Sequence, residues 1–170
     1  MTKTKSDKIL VAYYTRTGNT RKIAKAIAKE LNADIDEIID LKDRKRTITG
    51  WFIAGKDATI KSLTDIKTEK SPEKYKLVVI GTPVWAFTMT PAVRTYLTNH
   101  KFKKLAFFAT HEGHLGKTFI NMQELSQKPI ATQDFDFDEN KNLDKKVKLF
   151  TSKLKWKQKQ KLRQIQLNSW

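Results

Sequence analysis

Two short apolar runs constrain this chain most, Ile9-Leu10-Val11-Ala12-Tyr13-Tyr14 and Leu77-Val78-Val79-Ile80. Neither alternates with polar residues, which is the pattern of a strand buried on both faces. Strands of that kind need helices on either side, and helical patterns follow them. Arg21 to Leu31 places Ile23, Ala24, Ile27 and Leu31 on one face, with Lys22, Lys25 and Lys29 turned away and Asn32 as a stop. Thr90-Pro91 opens a second helix, Thr as the N-cap and Pro where no N–H is needed; Ala92, Val93, Tyr96 and Leu97 form its inward face. Asp34 to Leu41 alternates apolar with acidic residues, an edge strand guarded by charge. Leu105 to Ala109 reads as a fourth strand, Lys117 to Ser126 as a helix and Ile130 to Phe137 as a fifth strand. Leu143, Val147, Phe150 and Leu154 mark a final amphipathic helix. The 42–75 connection is patterned more weakly, with a short helix expected within Gly50 to Ser62 and a polar loop from Lys67 to Lys74.

Five strands interleaved with helices predict an α/β fold with a parallel sheet covered on both faces. Ligands of such sheets sit beyond the carboxyl ends of the strands, where strand order reverses. The loops after the first, third and fourth strands are therefore the places to look for chemistry. The first, Thr15-Arg16-Thr17-Gly18-Asn19-Thr20, runs straight into a helix start. Unpaired N–H groups and the helix dipole make that place suitable for a phosphate, with an ordinary capped turn as the alternative. It is neither a dinucleotide fingerprint nor a P-loop. The second, Gly81 to Met89, carries Trp85 and Phe87, which either stack on a flat ring or cover the end of the core. The third, Thr110 to Thr118, holds two decoys. Gly116-Lys117-Thr118 imitates the end of a Walker A motif, but the glycine that motif needs falls on His111. His111 and His114 are three apart, whereas a helical zinc site of the H-E-x-x-H type needs four. No metal ligand set emerges, and no side chain stands out as a general acid or base.

Taken together, the three loops resemble those of the flavodoxin family, whose first loop has the pattern [ST]-x-T-G-N-T. Thr15 to Thr20 fits every defined position, Gly81-Thr82-Pro83-Val84-Trp85 is similar to the second loop of one branch, and Thr110 to Lys117 lies where the third belongs. The resemblance spans about residues 8 to 150. It implies a flavodoxin-like three-layer sandwich with strand order 2-1-3-4-5 that binds FMN. Thr15, Thr17, Asn19 and Thr20, with the amides of Arg16 and Gly18, would hold the phosphate. Thr82, Pro83, Val84, Trp85, Ala86 and Phe87 would border the ring, and Thr110, His111, Glu112, Gly113 and Gly116 would meet its pyrimidine side. The implied function is electron transfer between a reductase and an acceptor enzyme. The alternatives are an NAD(P)H-dependent FMN or quinone reductase and a relative of the flavodoxin-like protoporphyrinogen oxidases.

Composition bears on partners more than on chemistry. The 170 residues contain no cysteine, which removes disulfides, thiolate metal sites and Fe–S clusters, so redox work needs a bound cofactor. Familiar carrier flavodoxins are acidic; this chain has 34 Lys and Arg against 18 Asp and Glu. With Arg16 in the first loop and Lys117 beside the third, a reduced flavin anion should form more easily, and redox partners with acidic docking surfaces are expected. Residues 1–152 read as the FMN-binding domain and 153–170 as a basic extension of the last helix or a solvated tail. Six cations at alternate positions from Lys153 to Arg163 allow weak contact with an anionic surface. Specific nucleic-acid binding is not expected, since no recognition motif accompanies the charge. The apolar runs are too short to span a bilayer and Met1 to Lys8 is polar, so a cytoplasmic protein is expected.

Overall fold

The computed structural model describes residues 8–42, 62–138 and 142–167. Five parallel strands form one sheet: β1 (Ile9–Tyr13), β2 (Asp34–Glu37), β5 (Leu77–Pro83), β6 (Leu105–His111) and β7 (Thr132–Asp136). Their order is β2-β1-β5-β6-β7, which is 2-1-3-4-5 when only the strands of this sheet are numbered. Helices α1 (Asn19–Leu31), α2 (Pro91–Asn99), α3 (Thr118–Glu124) and α4 (Leu143–Leu167) complete the layers.

Side-chain alternation along the central strands divides the core in two. Ile9, Val11, Tyr13, Leu77, Val79 and Phe108 pack with Ile23, Ile27 and Leu31 of α1 and with Val147, Phe150 and Leu154 of α4. Leu10, Ala12, Val78, Ile80 and Phe107 pack with Val93, Tyr96 and Leu97 of α2 and with Met122 of α3. Helix α1 therefore leaves β1 toward one face and α2 leaves β5 toward the other. The chain separates above the neighbouring ends of β1 and β5, and a crevice opens there.

Several boundaries differ from the sequence reading. Helix α1 begins at Asn19, two residues early, because Gly18 and not a later residue provides its N-cap. Strand β5 continues through Gly81-Thr82-Pro83 and β6 through Thr110 and His111, since Pro83 pairs with Thr110 and His111 pairs with Asp136 of β7. Thr82, Pro83, Thr110 and His111 are strand ends, not loop residues. Lys117 is the N-cap of α3 and not its first turn. Helix α4 runs from Leu143 to Leu167, so the basic stretch is helical in this structure. The short helix expected within Gly50 to Ser62 lies, all but Ser62, outside the described residues.

The expected edge strand from Asp34 to Leu41 is two strands. After β2 the chain leaves the sheet, and β3 (Ile39–Asp40) pairs antiparallel with β4 (Ile66–Lys67), whose second residue is the first of the expected polar loop. The acids of this edge are not solvent guards. Tyr75 donates its hydroxyl hydrogen to Asp34 at 2.8 Å, and the buried Asp36 carboxylate accepts the backbone N–H groups of Glu69 at 3.2 Å and Lys70 at 2.9 Å. Asp36 thus fixes the returning chain against β2. Replacing it by alanine leaves those amides without their charged acceptor, and a loss of about 2–3 kcal/mol in urea denaturation is expected.

Candidate functional site

The crevice is a cavity of about 330 Å³ lined by Arg16, Thr17, Asn19, Thr20, Pro83, Val84, Trp85, Thr110, His111 and Glu112. All three loops singled out from the sequence contribute to it. The first begins with an ordered turn, in which the Gly18 N–H donates to Thr15 Oγ1 at 3.1 Å. Gly18 has φ 102°, a conformation open to glycine without cost, and its missing Cβ would have faced open space. Helix α1 then starts with no side-chain cap and no acidic residue in its first turn. First-turn N–H groups have no acceptor within the helix, so this end is a positive, donor-rich seat beside the cavity. It suits an anion.

Two contacts hold that helix end in place. The buried Thr20 hydroxyl meets the Thr110 hydroxyl at 2.8 Å, joining the start of α1 to the end of β6. On the outer side, Arg21 grips Glu37 through Nη2 at 2.7 Å and Nε at 3.0 Å, and Tyr13 donates to the same carboxylate at 2.8 Å. Burial and the bond to Glu37 push the Tyr13 phenol up to about 12. Burial alone would raise the Glu37 carboxyl, but the hydrogen bonds from Arg21 and Tyr13 outweigh it and hold its pKa below the ordinary value.

The second loop resolves the two readings of its aromatics differently for each. Trp85 is buried, with its ring edge-on to Tyr14 at 5.6 Å and the Arg16 guanidinium 5.6 Å from its centroid. Phe87 is 63% exposed. Between them the chain reverses in two residues: Trp85 and Thr88 exchange both backbone hydrogen bonds, at 2.9 and 3.0 Å, while Ala86 and Phe87 have φ 46° and 63°. Positive φ at both central positions is the geometry of a type I′ turn, which favours Asn and Gly. Ala and Phe each take it at a cost of about 1 kcal/mol.

The third loop supports that strained turn. The Lys117 N–H donates to the Phe87 carbonyl at 2.9 Å, and the Asn121 amide donates to Thr88 Oγ1 at 2.7 Å. Gly116 (φ 58°) permits the approach, since a Cβ there would lie 2.4 Å from both Cβ and O of Phe87. Across the cavity, Asn19 reaches Glu112 at 3.5 Å. His111 is buried beside the carboxylates of Asp134 and Asp136, at 3.3 and 3.8 Å, and Asp136 also accepts the Gly113 N–H at 3.5 Å.

Ten of the seventeen expected residues line the cavity. Thr15, Gly18, Ala86, Phe87, Gly113 and Gly116 shape its walls or rim from behind. Thr82 is fully buried and serves another purpose: it donates to the Pro83 carbonyl at 2.9 Å and accepts the Thr90 N–H at 3.2 Å, tying β5 to the start of α2. Sequence reasoning missed Tyr14, Thr88, Asn121, Asp134 and Asp136. For the last two a signal existed, acids at alternate positions where the fifth strand ends, on the side where ligands bind. Among the described residues no group of three or more His, Asp or Glu could hold a metal ion.

The Gly116–Phe87 contact can be tested by mutation. Gly116→Ala puts a methyl group into backbone, and a stability loss of about 2–3 kcal/mol is expected in urea denaturation. Gly113→Ala, where nothing lies within 4 Å of the new Cβ, is expected to cost only its positive φ, about 1 kcal/mol.

Comparisons with known proteins agree with this geometry. A search of curated proteins found no match. Among solved structures, the chain is similar to a flavoprotein from Lactobacillus acidophilus NCFM in complex with FMN, at 23% identity and TM-score 0.65, covering 80% of this chain and 98% of that one. A candidate flavoprotein from Bacteroides eggerthii DSM 20697 matches at 22% identity and TM-score 0.70, over 86% and 97%. Oxidised flavodoxin 2 from Bacillus cereus matches at 17% identity and TM-score 0.53, over 88% and 99%. These likenesses concern the fold. The family model for flavodoxin matches residues 8–147, and the chain belongs to the flavodoxin family.

Proposed function

We propose that this protein binds FMN in the crevice above β1 and β5 and carries electrons between a reductase and an acceptor enzyme. The observation that carries the reading is the uncapped start of α1, which opens into a cavity that Trp85 and Pro83 also line. A phosphate fits the first feature and a flat ring fits the second. Thr15, Thr17, Asn19 and Thr20, with the amides of Arg16 and Gly18, hold the phosphate. Pro83, Val84 and Trp85 border the ring, with Ala86 and Phe87 at the rim, and Thr110 to Gly116 offer backbone N–H groups to its polar edge. FMN supplies the one- and two-electron chemistry when bound; the protein supplies position, shelter and charge.

Residues near the ring tune how readily it is reduced. Arg16 lines the cavity and sits over Trp85, Lys117 follows the third loop with its backbone bonded to the Phe87 turn, and positive charge near the ring favours an anionic reduced flavin. Phe87 and the exposed loop residues Gly113 and His114 form the open margin where a redox partner reaches the ring. The excess of basic residues favours partners with acidic docking surfaces. Neither the first loop nor the third has a nicotinamide-binding pattern, which supports a carrier over a reductase. No helix among the described residues is long and apolar enough to cross a membrane.

The purified protein, loaded with FMN and reduced stepwise without oxygen while its spectrum is recorded, separates the readings. A carrier is expected to accept electrons in two separate one-electron steps and to oxidise NAD(P)H negligibly by itself. Rapid NAD(P)H oxidation coupled to quinone would instead make it a reductase. A colourless protein that gains no flavin from added FMN would remove both.

A further inference from the structure

The other concentration of charge lies at the opposite end of the sheet, where β6 and β7 begin. Helix α4 passes that end, and Trp156, Lys157 and Gln160 face Lys103, Lys104, Gln127 and Ile130 across an open groove of about 520 Å³. The Lys157 ammonium donates to the Ile130 carbonyl and fixes the helix to the groove's edge. Lys101, Lys128, Lys153 and Lys155, each within three residues of a lining residue in the chain, are exposed. Of the acids near this end, Glu73 is engaged by His100 at 2.9 Å and Asp34 by Tyr75 at 2.8 Å, while Glu124, at the end of α3, is exposed. Trp156 remains 58% exposed, although an indole is a side chain that folding usually covers well. A seven-residue strand is about 23 Å long, so this groove is far from the flavin crevice and cannot serve as the docking surface for electron transfer.

We infer that the groove binds single-stranded nucleic acid, with a base stacked on Trp156 and phosphates met by Lys103, Lys104 and Lys157. An exposed aromatic ring within a lysine-lined groove is the arrangement that grips a single strand without reading its sequence. Gln127 and Gln160 add paired donors and acceptors suited to base edges. A membrane fits less well. The surface is concave, and among the described residues of α4 the exposed Leu149 and Trp156 share a face that the exposed Ser152 and Lys153 interrupt. Lys153, Lys155 and Lys157, at every second position, point to different sides of the helix, so among the described residues the cations do not segregate from an apolar face as a lipid-binding helix requires. A duplex hides the base faces that an indole would stack on. The absence of a recognition motif in the sequence argues against specificity and leaves sequence-independent binding intact.

The test uses the full FMN-loaded chain and a fluorescein-labelled oligo(U) of about fifteen nucleotides, with binding read as anisotropy between roughly 50 and 200 mM salt. Saturable binding that weakens steeply with salt is expected. Trp156→Ala is expected to weaken it five-fold or more, and Trp156→Phe to restore most of the loss. Changing Lys103, Lys104 and Lys157 together to Gln should lower the logarithmic salt slope by about 2, since each phosphate contact on a single strand contributes about 0.7. FMN affinity should be unchanged in every variant, which shows that the fold is intact. No saturable binding at the lowest salt would overturn the inference. So would equal binding to a duplex of the same length, or to vesicles one-third anionic lipid, that Trp156→Ala leaves unaltered.

Discussion

The structure depends on one constraint: parallel strands buried on both faces must be joined by helices that cross over them, and those helices must leave in opposite directions somewhere. Here the divergence is between β1 and β5. Helix α1 covers the face shared with α4, and α2 the face shared with α3. Both departures uncover the same strip of strand ends. The N-terminus of α1, with N–H groups that its own helix does not satisfy, necessarily lies beside that strip. The crevice, its donors and its polarity therefore come from the topology before any particular side chain is considered. Side chains then specialise it. Gly18 leaves α1 without a polar cap, while Thr20 and Thr110 close the floor with a shared hydrogen bond.

Much of this was legible in the residues. The unbroken apolar runs at Ile9 and Leu77 announce central parallel strands, and Thr15 to Thr20 identifies both the loop and the family. Less legible were features whose cause lies in distant contacts. Nothing local in Trp85-Ala86-Phe87-Thr88 indicates a type I′ turn, because its sequence opposes that conformation. The turn survives because Lys117 and Asn121 bond to it and Gly116 leaves it room. Asp36 misled for the same reason. An acid alternating with isoleucine on an edge strand reads as a solvent guard, yet its acceptors are used by the amides of Glu69 and Lys70, more than thirty residues away. Thr82 matched a site motif by position and is spent on joining β5 to α2.

The basic charge of the chain takes on two meanings once it is placed. Near the crevice it is sparse, with Arg16 accompanied by Glu112 in the lining and by Asp134 and Asp136 beside His111, so it is partly balanced there. At the far end of the sheet it is dense and accompanied by an exposed indole. A single net charge would assign both regions to partner docking. Separation by the length of a strand keeps the two regions apart, so the roles proposed for them, tuning of the cofactor and nucleic-acid binding, can be tested independently.

The central claim is that the uncapped start of α1 recognises a phosphate and that the crevice as a whole recognises a flavin. FMN and riboflavin differ only in that phosphate, so titrating the flavin-free protein with each, with binding followed by flavin fluorescence, tests the claim most directly. FMN is expected to bind one to one, and riboflavin roughly a hundred-fold more weakly, the equivalent of one or two charge-assisted hydrogen bonds. Equal affinity for the two would contradict the role given to the helix end, and binding of neither would contradict the site.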